Sequence, residues 1–122
     1  FMMLEGTYNN NGTTSFKDFI IFGDKVFNFD TLIVESALAN GSLGYFWNSG
    51  LIAGIDSFYN AGNFINNGTV ISTIFGNGTS GNFVNSVDGV LGFLVGINKD
   101  TMTNEHLIIA QDFYNYSDFI FS

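Results

Sequence analysis

The chain has no cysteine and no proline, and it has only 3 lysine and arginine residues against 11 acidic ones. Without cysteine it cannot form disulfides, zinc–thiolate sites or thiol nucleophiles. Without proline, every backbone N–H remains available to a β-sheet. The net charge of −8 leaves too few cations to neutralise phosphates, so we expect no binding to nucleic acid. No apolar run approaches the roughly 20 residues of a membrane-spanning helix, so we expect no membrane insertion.

Apolar and aromatic residues are abundant instead. Of the 122 residues, 46% are hydrophobic and 15 are phenylalanine. This composition predicts a folded chain rather than a disordered one, and the length fits a single β domain over residues 1–122. The chain is also acidic, poor in lysine and rich in asparagine, glycine and threonine, which is typical of secreted and surface proteins. We therefore expect an extracellular or cell-surface location.

Large apolar residues recur at a nearly constant interval. The row comprises Tyr8, Phe27, Phe46, Phe64, Phe83 and Met102. Its four phenylalanines are 19, 18 and 19 residues apart. An asparagine follows two residues later in every repeat but one, where Phe29 takes its place. These asparagines are Asn10, Asn48, Asn66, Asn85 and Asn104.

Two further apolar rows keep the same interval. One contains Ile33, Ile52, Val70, Val90 and Ile109, and the other contains Phe19, Leu38, Phe58, Phe75, Leu94 and Phe113. Three rows at this interval predict an all-β, single-domain β-solenoid (β-helix) of about six coils of 18–20 residues. Each coil would pair with the next about 4.8 Å away. The repeated asparagines would turn inward at a corner and donate their amides to one another.

A β-sandwich with donor-strand exchange is the alternative fold. It would also give short strands separated by turns. A sandwich has no reason to keep one interval over six repeats, so the solenoid is favoured.

The stretch Asn-Ala-Gly-Asn-Phe-Ile-Asn-Asn-Gly-Thr-Val, residues 60–70, resembles the repeats of filamentous-haemagglutinin-type adhesins. The resemblance is best over residues 46–90. It implies right-handed β-helical coils in a secreted scaffold or adhesin. It transfers no catalytic residue, because those coils have none.

Catalytic and metal-binding residues are sparse. His106 is the only histidine, and only Glu105 lies beside it as a second potential ligand, whereas a metal site needs three or four. Asp18, Asp56 and Asp112 share one position in the repeat, as in β-helical enzymes that act on polysaccharides. Arginine is absent and the intervening repeats have no carboxylate at that position. We therefore predict no enzyme activity, no cofactor and no metal, with polysaccharide cleavage as the less favoured alternative.

Five asparagines lie in Asn-x-Ser/Thr sequences and are candidates for N-glycosylation. They are Asn11, Asn40, Asn67, Asn77 and Asn115. Four of the five sequences contain glycine, so they also suit tight corners.

The two termini are apolar and have no lysine, arginine or proline to prevent edge pairing. We predict contacts between subunits at Phe1, Met2, Met3, Leu4, Phe113, Tyr114, Phe119, Ile120 and Phe121. The predicted function is an extracellular structural protein, a subunit of a self-assembling homopolymeric filament or surface fibre. The alternative is an adhesin whose exposed aromatic residues, Trp47, Tyr59 and Tyr114, contact glycans or a host surface.

Overall fold

The computed structural model describes residues 2–3 and 6–121, and these residues form fourteen β-strands. In chain order the strands are β1 (Met2–Met3), β2 (Thr7–Asn10), β3 (Thr13–Ile21), β4 (Lys25–Asn28), β5 (Thr31–Asn40), β6 (Tyr45–Asn48), β7 (Leu51–Asn60), β8 (Asn63–Asn66), β9 (Thr69–Asn77), β10 (Asn82–Asn85), β11 (Val90–Asn98), β12 (Thr101–Asn104), β13 (Leu107–Asn115) and β14 (Phe119–Phe121). Among the described residues there is no helix that could cross a membrane.

Consecutive strands alternate between two sheets. The odd-numbered strands form the first sheet in the order β1-β3-β5-β7-β9-β11-β13, and the even-numbered strands form the second in the order β2 to β14. Every strand pair is parallel. The chain therefore winds as a single-domain β-solenoid of about six coils, which confirms the predicted fold and excludes the sandwich.

The corners continue the hydrogen-bond ladder of the strands. Asn67 N donates to Asn48 O at 2.7 Å, and Thr69 N donates to Gly50 O at 2.9 Å. A Cβ at Gly68 would collide with the carbonyl oxygen of Gly50 on the preceding coil. Glycine is therefore required here by the close approach of two coils.

An aromatic stack fills the interior behind the second sheet. Phe46, Phe64 and Phe83 are buried and occupy the same position on β6, β8 and β10. The ring centroids of Phe46 and Phe64 are 4.6 Å apart and those of Phe64 and Phe83 are 5.1 Å apart, with nearly parallel planes. The predicted internal stacking of these three rings is confirmed.

The prediction for Phe27 and Phe29 is wrong by one residue. Val26, which is buried, pairs with Phe46, whereas Phe27 pairs with Trp47 on the outer face. The coils differ in length. Asn10 and Asn28 are 18 residues apart, whereas Asn28 and Asn48 are 20 residues apart. Asn28 therefore takes the asparagine position that was assigned to Phe29.

The second predicted row is also partly displaced. Its buried members in the structure are Leu32, Ile52, Val70 and Leu91, with Ile108 partly buried on the last coil. Ile33 and Val90 are only half-buried on the outer face, and Ile109 is 59% exposed. The alternation of a strand puts neighbouring residues on opposite faces, so an error of one residue exchanges inside and outside.

The third row is confirmed except in the fifth coil. Phe19, Leu38, Phe58 and Phe75 are buried, and Phe113 packs against them. Leu94 is exposed. Gly96 holds the equivalent backbone position, paired with Phe75 and Phe113. The ring of Phe93 occupies the space that a side chain on Gly96 would need, and it stacks on Phe75 with centroids 5.3 Å apart.

Candidate functional site

Six buried asparagines form a ladder along the second sheet. Each side-chain Nδ2 donates to the Oδ1 of the next asparagine at 2.7 to 2.9 Å. The ladder consists of Asn10, Asn28, Asn48, Asn66, Asn85 and Asn104. Most of these amides also donate to a backbone carbonyl, as Asn66 does to Val90 O at 3.0 Å. The predicted corner ladder is present, with Asn28 as an added member.

A second ladder, which the sequence analysis does not predict, lies at the ends of β5, β7, β9, β11 and β13 in the first sheet. It contains Asn40, Asn60, Asn77, Asn98 and Asn115, joined at 2.8 to 2.9 Å. The separations along the chain are 20, 17, 21 and 17 residues. A search of the sequence for residues repeated at one fixed interval misses this row, because its separations vary from 17 to 21 residues. The signal that could have found it is an asparagine followed within four residues by the glycine or aspartate of a corner.

The glycosylation candidates lie in different environments. Asn40 and Asn77 are buried members of the second ladder, and an N-linked glycan on either is incompatible with this fold because no space surrounds the amide. Asn11 is exposed and Asn67 is half-buried. Asn115 is exposed, although Asn98 donates to its Oδ1 and its Nδ2 donates to Ser117 O at 2.9 Å.

The two ladders begin differently at the N-terminal end. Thr14 Oγ1 donates to Asn10 Oδ1 at 2.7 Å and so replaces a preceding amide. In the second ladder the preceding position is Ile21, which cannot donate, and Asn40 Oδ1 is buried without a hydrogen-bond partner. Asp24 lies in the corner between Ile21 and Lys25, and both of its carboxylate oxygens are also buried and unpartnered. This corner is the least satisfied polar region among the described residues.

Strands β13 and β14 form the last coil that the structure describes. Strands β13 and β14 each have one neighbour among the described residues. The inward-facing side chains of Ile108, Phe113 and Phe119 are only partly buried. Asn104 Nδ2 donates to His106 O, within its own corner, and to no further amide. Among the described residues, the last coil therefore has two sheet edges without a neighbouring strand and apolar side chains that are only partly buried.

The residues predicted to join subunits lie at both ends of the solenoid. Tyr114 and Ile120 are half-exposed at the C-terminal end. The backbone of Met2 and Met3 forms β1 against Ile20 and Ile21 at the N-terminal end, and the backbone of Phe121 pairs with Asn104. Phe1 and Leu4 lie outside the described residues.

The carboxylates considered for catalysis are far apart. Asp18 on β3 and Asp112 on β13 share one row, separated by five strand spacings or about 24 Å. Asp56 is displaced from that row, which contains Ser57 instead. These side chains do not form a carboxylate pair. The described residues also contain no group of three or more His, Cys, Asp or Glu side chains arranged to hold a metal.

Four aromatic side chains form a patch on the outer face of the second sheet. The aromatic patch consists of Phe27, Phe29, Tyr45 and Trp47, with ring centroids 5.5 to 6.4 Å apart. Phe29 is 48% exposed and the other three are half-buried. Of the aromatic residues proposed for adhesion, only Trp47 belongs to it. Tyr59 and Tyr114 lie in one row of the first sheet.

Comparisons with known proteins give no match. No protein-family model matches the chain, and none of the curated proteins or solved structures matches it significantly. The resemblance to filamentous-haemagglutinin-type repeats therefore remains a prediction.

Proposed function

We propose that this chain is a non-catalytic, extracellular structural protein, a subunit of a filament or surface fibre joined by β-strand pairing between copies. The observation that supports the proposal is that β13 and β14 have no further neighbouring strand among the described residues, and that the apolar side chains of this coil are only partly buried. Exposed edges of this kind favour strand addition from another chain. The acidic, lysine-poor composition supports the extracellular location.

The strand register defines how a second copy would dock. Met2 and Met3 occupy the two positions that Tyr114 and Asn115 occupy in the last coil. Tyr8 likewise occupies the position of Phe119. A second copy on the C-terminal end would therefore place its β1 beside the end of β13 and its β2 beside β14. The contact joins two different surfaces, so it repeats along an axis and produces a filament.

Strands β1, β2 and β14 contain no charged residue, and β1 would lie beside Tyr114 and Asn115 of β13, which are also uncharged. Strands β1, β2 and β14 have the sequences Met-Met, Thr-Tyr-Asn-Asn and Phe-Ile-Phe. No like-charge repulsion opposes their pairing, and none has the lysine that protects many edge strands. Stacking would also cover Phe119, whose ring packs on Phe113 with centroids 5.4 Å apart.

The test uses two lysine substitutions on adjacent residues of β14. Phe119→Lys introduces a charge into the apolar surface that stacking would bury, whereas Ile120→Lys introduces the same charge on the outer face. We expect the unmodified chain and Ile120→Lys to form filaments in electron micrographs, and Phe119→Lys to remain monomeric in analytical ultracentrifugation. Deletion of residues 113–122 should also abolish assembly. A monomeric unmodified chain at high concentration, or normal filaments of Phe119→Lys, would overturn the proposal.

Glycosylation is part of the extracellular proposal. Asn11 and Asn67 are the candidates whose side chains reach solvent without belonging to a ladder. We expect the intact mass of native material to exceed the 13.4 kDa of the bare chain, with the added mass at Asn67 or Asn11. A mass equal to that of the bare chain would contradict this part of the proposal.

A further inference from the structure

The aromatic patch gathers four large rings on the side of the solenoid. Phe27 and Phe29 come from one coil, and Tyr45 and Trp47 come from the next. The planes of Phe27 and Phe29 differ by 13°, whereas Trp47 is inclined by 62° to Phe29. The patch therefore contains a pair of nearly parallel rings and a third ring inclined to them, with Phe29 the most exposed member.

Hydrogen-bonding side chains lie on both sides of the patch, and one of them, the exposed Lys25 that pairs with Tyr45, is charged. Asn9 precedes Phe27 in its row, and Asn63 follows Tyr45 in the adjacent row. Both asparagines are exposed. Side-chain amides are therefore available beside the aromatic rings.

The chemistry of the patch suits one class of ligand. Aromatic rings have a negative face that attracts the weakly positive C–H groups on the flat side of a pyranose ring. Amides at the edge can exchange hydrogen bonds with sugar hydroxyls. The net charge of −8 disfavours anionic ligands, including sulfated glycans and nucleic acids. A flat sheet fits an extended, ribbon-like chain better than a branched or globular ligand.

We propose that the aromatic patch binds an uncharged, extended polysaccharide of the cellulose or chitin type, with the sugar rings stacked on Phe29 and Trp47. The patch lies on the second and third coils, away from the edges of β13 and β14. Head-to-tail stacking of subunits would leave it open and repeat it along the filament. The site does not depend on assembly, because all four rings belong to one chain.

Cross-strand aromatic pairs can also stabilise a sheet without binding a ligand. A substitution that replaces the ring by another apolar side chain distinguishes ligand binding from stabilisation of the sheet. Phe29→Leu removes the ring of the most exposed member but keeps an apolar side chain and leaves Trp47 in place. Tyr116→Leu is the matched control, because Tyr116 is exposed, aromatic and outside the patch.

Trp47 is the only tryptophan of the chain, so its fluorescence reports on the patch alone. We expect cellohexaose or chitohexaose to change this fluorescence, and insoluble cellulose or chitin to retain the unmodified protein. Phe29→Leu should bind about tenfold more weakly, with no loss of the folded circular dichroism spectrum, and Tyr116→Leu should bind normally. Trp47→Leu should abolish retention. The proposal is overturned if neither polysaccharide retains the unmodified protein, or if Phe29→Leu binds equally well. It is also overturned if Phe29→Leu alters only self-association, since the patch would then join copies of the chain.

Discussion

The side-chain Nδ2 of Asn66 lies 2.9 Å from Oδ1 of Asn85, the equivalent residue of the next coil. Asn66 Oδ1 in turn accepts from Asn48 Nδ2 at 2.9 Å. Each buried amide thus serves as donor and acceptor in one continuous chain. Burying an amide without partners is costly, so the ladder makes the polar corner compatible with a dry interior. The ladder also fixes the register between coils, because a slip of one residue would leave every amide unpaired.

Replacing Asn66 with leucine should therefore destabilise the fold. The substitution leaves Asn48 Nδ2 without its acceptor and Asn85 Oδ1 without its donor. We expect the free energy of unfolding to fall by about 1–3 kcal/mol, measured by urea denaturation. Asn63→Leu is the control, since Asn63 is exposed and has one long hydrogen bond, at 3.3 Å from Asn82. Equal stability of the two variants would show that the ladder contributes nothing.

The aromatic stack gives a second prediction. Phe64 lies between Phe46 and Phe83, and its ring also contacts Phe58 edge-on with centroids 4.9 Å apart. Phe64→Ala leaves a cavity that the rigid coils above and below cannot close. We expect a loss of about 3–5 kcal/mol in the free energy of unfolding. Phe29→Ala, on the outer face, should cost clearly less, and an equal cost at both positions would contradict the assignment of inside and outside.

The interval of the phenylalanines was enough to predict the solenoid, because stacked coils require equivalent residues at each turn. The positions of individual residues were predicted less well. The inward positions of Phe46, Phe64 and Phe83 follow from three coils of similar length, whereas coils of 18 and 20 residues displaced the prediction at Phe27. One of the two extra residues is a bulge within β5, and the other lies in the corner after β5, which has four residues where the corner after β3 has three. The aromatic patch depends on the same displacement, since Phe27 faces outward only when Val26 faces inward.

A third prediction concerns Ser72. Its side chain is 6% exposed, and its Oγ is buried without a hydrogen-bond partner. It pairs with Ile55 and lines an apolar groove of about 550 Å³ on the first sheet, together with Phe93. Removing an unsatisfied buried hydroxyl relieves its desolvation cost. We expect Ser72→Ala to raise the free energy of unfolding by about 1 kcal/mol. Ser57→Ala, at an exposed site on the preceding coil, should have no effect, and a destabilised Ser72→Ala would contradict the prediction.

The N-terminal corner differs from the corners that follow it. In three later corners the ladder asparagine donates to the carbonyl oxygen of a glycine, at Gly44, Gly62 and Gly81. Asp24 holds the equivalent position in the first corner, since its carbonyl accepts from Tyr45 N as that of Gly44 accepts from Asn63 N. A Cβ at Gly44 would collide with Oδ1 of Asn40. In the shorter corner after β11, however, the ladder asparagine Asn98 donates to the carbonyl oxygen of Asp100 at 2.8 Å, so a side chain at this position is compatible with the ladder there.

The first corner should become more stable when both of its unusual residues are replaced. In Ile21→Asn with Asp24→Gly, the new amide can donate to the unpartnered Oδ1 of Asn40, and the unpartnered buried carboxylate is removed. These gains exceed the lost burial of Ile21, and we expect a net increase of about 1–2 kcal/mol in the free energy of unfolding. Ile21→Asn alone should be less stable than the double variant, because it keeps the unpartnered buried carboxylate of Asp24. Thermal and urea unfolding of both single variants and of the double variant measure whether the two effects add. A double variant less stable than Asp24→Gly alone would show that Ile21 does not occupy the first position of the second ladder.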